Sequence, residues 1–195
     1  MFSAVIDNTA LVYLTQLHQK RPFIELLRNI INPLFIPIAV KNEYARGLSM
    51  DANRSWVLDR LDTEQGFYRL CTSYDSFVNV LVENFKGIDR GEAETYSQFK
   101  KISAQLIISD DKDFTKAIHQ LDRGLKVYNS LHLICWLDVL QFLPMDWAGI
   151  LKLLHNVRPF HSRDLRQAYL EIAARNGISL PSKTLSRKCS LKAIL

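Results

Sequence analysis

Residues 105–114 read QLIISDDKDF: Leu106, Ile107 and Ile108 form a short apolar run that ends abruptly in Asp110, Asp111, Lys112 and Asp113. Such a run, bounded by polar residues, is the pattern of a strand buried on both faces, as strands of a parallel sheet are. The acids fall at its carboxyl end. Open α/β sheets bind ligands there, so the three carboxylates form a candidate site for metal or phosphate chemistry. They equally suit a helix N-terminus, with Asp110 or Asp111 as N-cap and Asp113 favoured by the dipole in the first turn. Which reading holds depends on the other acids of the chain.

The same grammar recurs on either side of this stretch. Ala4-Val5-Ile6 stops at Asp7-Asn8-Thr9, after which Leu11, Leu14 and Leu17 recur with helical spacing. That is strand, acidic turn, helix, with Asp7 or Thr9 suited to the cap. Pro22 stands at a favoured first helical position, and Phe23, Leu26, Leu27 and Ile30 line one face until Asn32-Pro33. Leu34–Ile38 reads as the next buried strand, and 39–46 as a helix that presents Glu43 before the stop at Gly47. A helix from Asp51 with Trp56, Leu58 and Leu61, a strand Phe67–Cys71 and a helix with Phe77, Val78, Leu81 and Phe85 follow. GIDRGEAE, residues 87–94, is a turn feeding a helix whose first residues include Asp89, Glu92 and Glu94, as the helix dipole favours. After the opening stretch come a helix with Phe114, Ile118 and Leu121, a strand Leu125–Tyr128 and a helix Ser130–Leu140. The remainder reads as helical over Trp147–His155 and Ser162–Arg175, ending in a basic, poorly patterned tail beyond Pro181. The resulting division is 1–143 for an α/β domain, 144–180 for helices packed on or beside it, and 181–195 for a basic, flexible tail.

Composition sets the bounds. A chain of 195 residues with 48% hydrophobic and 23% charged residues is that of an ordinary globular protein with one real core. The net charge of +5 and pI near 9.1 are compatible with a nucleic-acid partner. Cys71, Cys135 and Cys189 are far apart and show no C-x-x-C spacing, which disfavours a disulfide framework or a cysteine-rich zinc site and fits a reducing cytoplasm. No signal-peptide pattern opens the chain, and the apolar stretch Leu131–Leu143 is too short to span a bilayer, so no membrane role is expected. His18, His119, His132, His155 and His161 form no H-x-x-x-H or H-E-x-x-H pattern, which directs attention to the carboxylates.

Alternating strands and helices imply an α/β fold with a mainly parallel sheet. Asp7 and the Asp110/Asp111 pair then sit at carboxyl ends of parallel strands, and Glu43 and Glu92 lie early in helices leaving the same edge. Carboxylates that converge repel one another and raise one another's proton affinity unless a cation neutralises them. Taken together, AVIDNTALVYL, IPIAVKNEYARG, GIDRGEAET and LIISDDKDF, in that order, resemble the motifs of PIN domains, nucleases that hold divalent metal with a quartet of acids. The chain looks most like the VapC-toxin-like branch of bacterial and archaeal PIN proteins with a GEAE motif. The later HNV and DLRQAYLEIAARNGI segments look like the C-terminal helices of that group.

The resemblance implies a three-layer α/β/α sandwich with a helical C-terminal extension. It assigns Asp7, Glu43, Glu92 and Asp111 as catalytic metal ligands, with Asp110 as an alternative or additional ligand and Thr9 and Asp113 in support. Arg90, Lys112 and Lys116 flank these acids as candidate phosphate contacts. The implied activity is Mg²⁺- or Mn²⁺-dependent hydrolysis of RNA phosphodiester bonds in the cytoplasm, as the toxin of a type II toxin–antitoxin pair with a small antitoxin partner, and as a homodimer. The helices at Phe23 and Trp56 suit either that interface or the core. A catalytically inactive PIN-fold module that binds RNA or protein through Arg163, Arg166, Lys183, Arg187 and Lys188 is the alternative. Two departures from the family pattern stand out: Asn129-Ser130 follows the last strand where glycine is usual, and glutamate rather than aspartate occupies position 92.

Overall fold

A computed structural model describes residues 1–17, 23–47, 52–63, 66–72, 75–143 and 147–194. His18, Pro22 and Asp51 lie outside the described residues. The chain divides into two compact units, Met1–Asn129 and Ser130–Leu195.

In the first unit five strands form one parallel sheet: β1 (Phe2–Ile6), β2 (Ile31–Pro37), β3 (Tyr68–Cys71), β4 (Leu106–Ile108) and β5 (Val127–Tyr128), in the order β3-β2-β1-β4-β5. Helices flank the sheet: α1 (Asn8–Gln16), α2 (Ile38–Arg46), α3 (Ala52–Thr63), α4 (Phe77–Asn84), α5 (Arg90–Lys101) and α6 (Lys112–Leu121). The architecture is a three-layer α/β/α sandwich. Ala4, Val5, Ile6 and all of β4 are fully buried, as their unbroken apolar sequence requires of central parallel strands. On one side of the sheet, Ile107 packs in a core with Val78 and Leu81 of α4, Tyr96 of α5, and Phe114 and Ile118 of α6.

Strand order locates the ligand-binding edge. The chain runs outward from β1 to β2 and β3, then returns to place β4 and β5 on the other side of β1. Parallel crossovers are right-handed, so the reversal leaves a crevice outside the carboxyl ends of β1 and β4. Ile6 pairs with Ile108 in register, which sets Asp7 and Ser109 side by side at that crevice.

Two local expectations change. Residues 23–29 form a 3-10 helix, and Asn32-Pro33 lies inside β2, joined by a cis peptide, where it was expected to separate helix from strand. The pairing of β1 with β2 shifts register beside it, between Phe2 and Ala4, the kind of irregularity that accommodates proline inside a sheet. Phe23, Ile24, Leu27, Val57 and Leu61 are all buried, so these segments serve the core.

The second unit is helical: α7 (Ser130–Val139), α8 (Trp147–Val157), α9 (Ser162–Arg175), α10 (Ser182–Lys188) and α11 (Leu191–Ile194). The second compact unit begins with α7. The reason is apolar: Leu133, Trp136 and Leu137 of α7 are buried in the unit that also buries Leu165, Tyr169 and Ile172 of α9. The Trp136 indole donates to Asn176 at 3.3 Å. Asp138 accepts from Tyr169 Oη at 2.6 Å and from Lys188 Nζ at 2.5 Å, which ties α10 to α7. The segment beyond Pro181 is thus helical through α10 and α11, with Leu185 and Cys189 buried. Among the described residues no helix is long and apolar enough to cross a membrane.

Candidate metal site at the sheet switch point

Asp7 ends β1 and begins α1. Its Oδ1 accepts the Ala10 N–H at 2.8 Å, the ordinary work of an N-cap, while its backbone N–H donates to Ile108 O at 3.0 Å. Its Oδ2 accepts from the Ser109 hydroxyl, whose oxygen in turn accepts the Asp111 N–H at 3.0 Å. Ser109 thus bridges the end of β1 to the turn that follows β4. The sequence pointed to Thr9 for a supporting hydroxyl; the hydroxyl that reaches Asp7 is Ser109, which sits on the same edge one residue past the register pair.

Asp7 is only 2% exposed. Removal from water pushes its carboxyl up to about 8, the charges of Asp110 and Glu92 push the same way, and the Ser109 and Ala10 hydrogen bonds oppose them. Glu92 is pushed up to about 7, first by burial and then by the charges of Asp89, Asp111 and Glu43, against the Asp89 N–H bond. Glu43 is raised as well, by burial and then by the Asp89 and Glu94 charges, against Arg46. The charges of Asp110 and Glu92 thus act on Asp7, and those of Asp111 and Glu43 act on Glu92. The pairing of β1 with β4 has brought Asp7 within reach of the charge of Asp110, 103 positions away in sequence.

Several of the acids also have a structural task. Asp111 caps α6, its Oδ1 accepting the N–H groups of Asp113 and Phe114 at 2.7 and 2.9 Å. Asp89 and Glu92 form a reciprocal capping box on α5, with bonds of 2.8 and 3.0 Å. Glu94, only 7% exposed, accepts the Ala39 N–H at 2.9 Å and pairs with Arg90 Nε at 3.3 Å. It thereby caps α2, whose own N-cap, Pro37, has no side chain able to do so. Asp110 acts on Asp7, and Asp111 on Glu92.

The remaining candidates are drawn into ion pairs or exposed to solvent. Asp113 and Lys116 make a solvent-exposed ion pair at 2.7 Å, which holds the Asp113 carboxyl below its usual range. Arg90 is paired with Glu94, and Lys112 is an exposed first residue of α6. His132, His155 and His161 belong to the second unit, and His132 is paired there with Glu171 at 3.2 Å.

A family model described as a PIN domain matches residues 3–175. The chain belongs to the PIN domain family. PIN domains are generally nucleases, and this chain has that nuclease-type fold. No curated protein and no solved structure gave a match.

The residues of this PIN domain suit a divalent cation. Hard carboxylate oxygens are what Mg²⁺ and Mn²⁺ take as ligands. Asp7, Glu92 and Glu43 all carry a raised proton affinity that a cation would offset, and Asn8 Oδ1, next to Asp7 in the chain, is buried without a hydrogen-bond partner among the described residues. Among the described residues no three histidine, cysteine or acidic side chains already converge as a ligand set. Glu92 and Asp111 instead direct oxygens to backbone N–H groups.

Proposed function

We propose that this PIN domain is a metal-dependent endoribonuclease. The observation that carries the reading is the meeting of Asp7 with the Ser109–Asp111 turn at the β1/β4 crevice, with Glu92 and Glu43 in the same field. Asp7, Glu43, Glu92, Asp110 and Asp111 would hold Mg²⁺ or Mn²⁺. When bound, the cation supplies Lewis acidity for phosphodiester hydrolysis at neutral pH. Ser109 and the Ala10 N–H hold Asp7 in one orientation, and burial of Asp7 limits competition from water. Lys112, exposed next to Asp111, would contact an RNA phosphate. The basic second unit supports a polyanionic substrate.

Cleavage of labelled structured RNA with Mn²⁺, repeated with EDTA and with Asp7→Ala, tests the proposal. Loss of cleavage in both controls is expected; cleavage indifferent to both would overturn it. A toxin role extends the proposal and predicts growth arrest on expression that Asp7→Ala abolishes, relieved by a small antitoxin protein. A non-catalytic PIN-fold binding module is the second reading. Its support is the use of Asp111, Glu92 and Asp89 as helix caps. RNA binding without Mn²⁺-dependent cleavage would select it.

A further inference from the structure

Gly91 and Glu94 are one turn apart on α5, and Ala39 and Glu43 are one turn apart on α2. Residues with these spacings share a helix face. The two faces meet at both positions. Glu94 Oε2 accepts the Ala39 N–H at 2.9 Å. One turn away, a Cβ placed on Gly91 would stand 2.7 Å from Glu43 Oε1, 3.0 Å from Oε2 and 3.1 Å from Cδ. All three distances are shorter than ordinary van der Waals contact. The Glu43 carboxyl therefore occupies space over the first turn of α5 that exists because residue 91 has no side chain.

Backbone conformation does not account for this glycine. The positive-φ glycines are Gly87 and Gly177, and Gly91 is helical. In a helix glycine is less favourable than alanine, so its place here needs another reason. The close approach of Glu43 is that reason. We propose that Gly91 is a positioning residue for the Glu43 carboxyl, and that Glu94, by capping α2 from α5, sets the helix register that brings the two together. The effect on metal binding rests on the function proposed above; the placement of Glu43 does not.

The test is a pair of substitutions read in two ways. Gly91→Ala should fold and melt no lower than the parent, because alanine favours the helix and the atoms it displaces are the mobile end of Glu43. Its Mn²⁺ affinity, measured by titration calorimetry, should fall about tenfold, the size of loss typical when a ligand's support is disturbed. Glu43→Asp withdraws the carboxyl by one methylene and vacates the contested space. In that background Gly91→Ala should change Mn²⁺ affinity by less than about twofold, the non-additivity expected of two groups in contact. The crystal structure of metal-free Gly91→Ala should show the Glu43 carboxyl moved away from α5. An unmoved carboxyl, or an equal loss of affinity in both backgrounds, would overturn the inference. Should the parent take up no Mn²⁺, the metal site fails, and the metal-free structure alone decides the placement of Glu43.

Discussion

Asp7 is placed where its charge is expensive. It is nearly sealed from water, it faces the fields of Asp110 and Glu92, and the bonds from Ser109 and the Ala10 N–H hold its charged form. Its carboxyl has an ordinary value near 4 in the unfolded chain and about 8 in the metal-free fold. Between those values the folded state binds the extra proton, so stability is fully present below the unfolded value and is lost as pH rises towards 8. The slope for one such group has a ceiling of about 1.4 kcal/mol per pH unit. Melts in EDTA should show Tm falling from pH 5 to pH 8, and Asp7→Asn should flatten that fall, its amide oxygen still accepting the Ala10 N–H while its NH2 group turns a donor towards the Ser109 hydroxyl oxygen. A divalent cation competes with the same proton. The Tm gain from Mn²⁺ should therefore be larger at pH 8 than at pH 6 and disappear in Asp7→Asn. Equal gains at both pH values would count against Asp7 as a ligand.

At the scale of elements, the acids cap helices, and capping is separable from ligation. Asp111 accepts two N–H groups at the start of α6, so Asp111→Ala should lower stability by about 1 kcal/mol in urea unfolding. Asp111→Asn should restore that loss, since asparagine caps as well as aspartate. If Asp111 also binds the cation, Asp111→Asn will still lose Mn²⁺ affinity. Setting Asp110→Asn beside it orders the two residues as ligands. Glu94 is buried and bonded to the Ala39 N–H, so Glu94→Ala should cost about 1–2 kcal/mol through the uncapped donor on α2 and the loss of the Arg90 partner. The strands, by contrast, need no such devices. β1 and β4 are held by unbroken apolar sequence and parallel pairing.

Across the whole molecule, charge is divided unevenly. Residues 1–129 carry 16 basic and 16 acidic residues, whereas 130–195 carry 9 basic and 4 acidic, so the net +5 belongs to the helical unit. Arg163 and Arg166 are exposed and one turn apart on α9. For a protein that binds RNA, cations of this kind release counterions, and the logarithm of affinity falls with the logarithm of salt by about 0.7 per phosphate on a single strand. RNA binding by the Asp7→Asn protein should weaken with salt in this way. The double variant Arg163→Glu/Arg166→Glu should reduce that slope by about one or more while leaving Mn²⁺ affinity unchanged. An unchanged slope would place RNA elsewhere.

Local pattern made much of this protein legible. The apolar runs Ala4–Ile6 and Leu106–Ile108, the spacing of Leu11 and Leu14, the acids at the start of α5 and the span of α9 all depend on neighbours a few residues away. Periodicity and turn chemistry report such neighbours directly. The segment before β2 was misread because Asn32-Pro33 looks like a boundary, and only pairing with β1 and β3 shows that the strand continues through it. An apolar helix such as α7 likewise does not say by its own pattern which core it joins.

The sequence by itself determined a parallel α/β domain with acids at the ends of its strands, since burial on both faces demands unbroken apolar runs and the polar residues that stop them must lie at the sheet edge. The tertiary structure alone decided which of those groups meet. Ser109 reaches Asp7 across 102 positions because β1 and β4 pair in one register. Glu43 fits over Gly91, and Glu94 caps α2, because two helices distant in sequence pack at one height. Such contacts are set by strand order and helix register, which depend on the packing of the whole domain and leave no periodic trace in the chain.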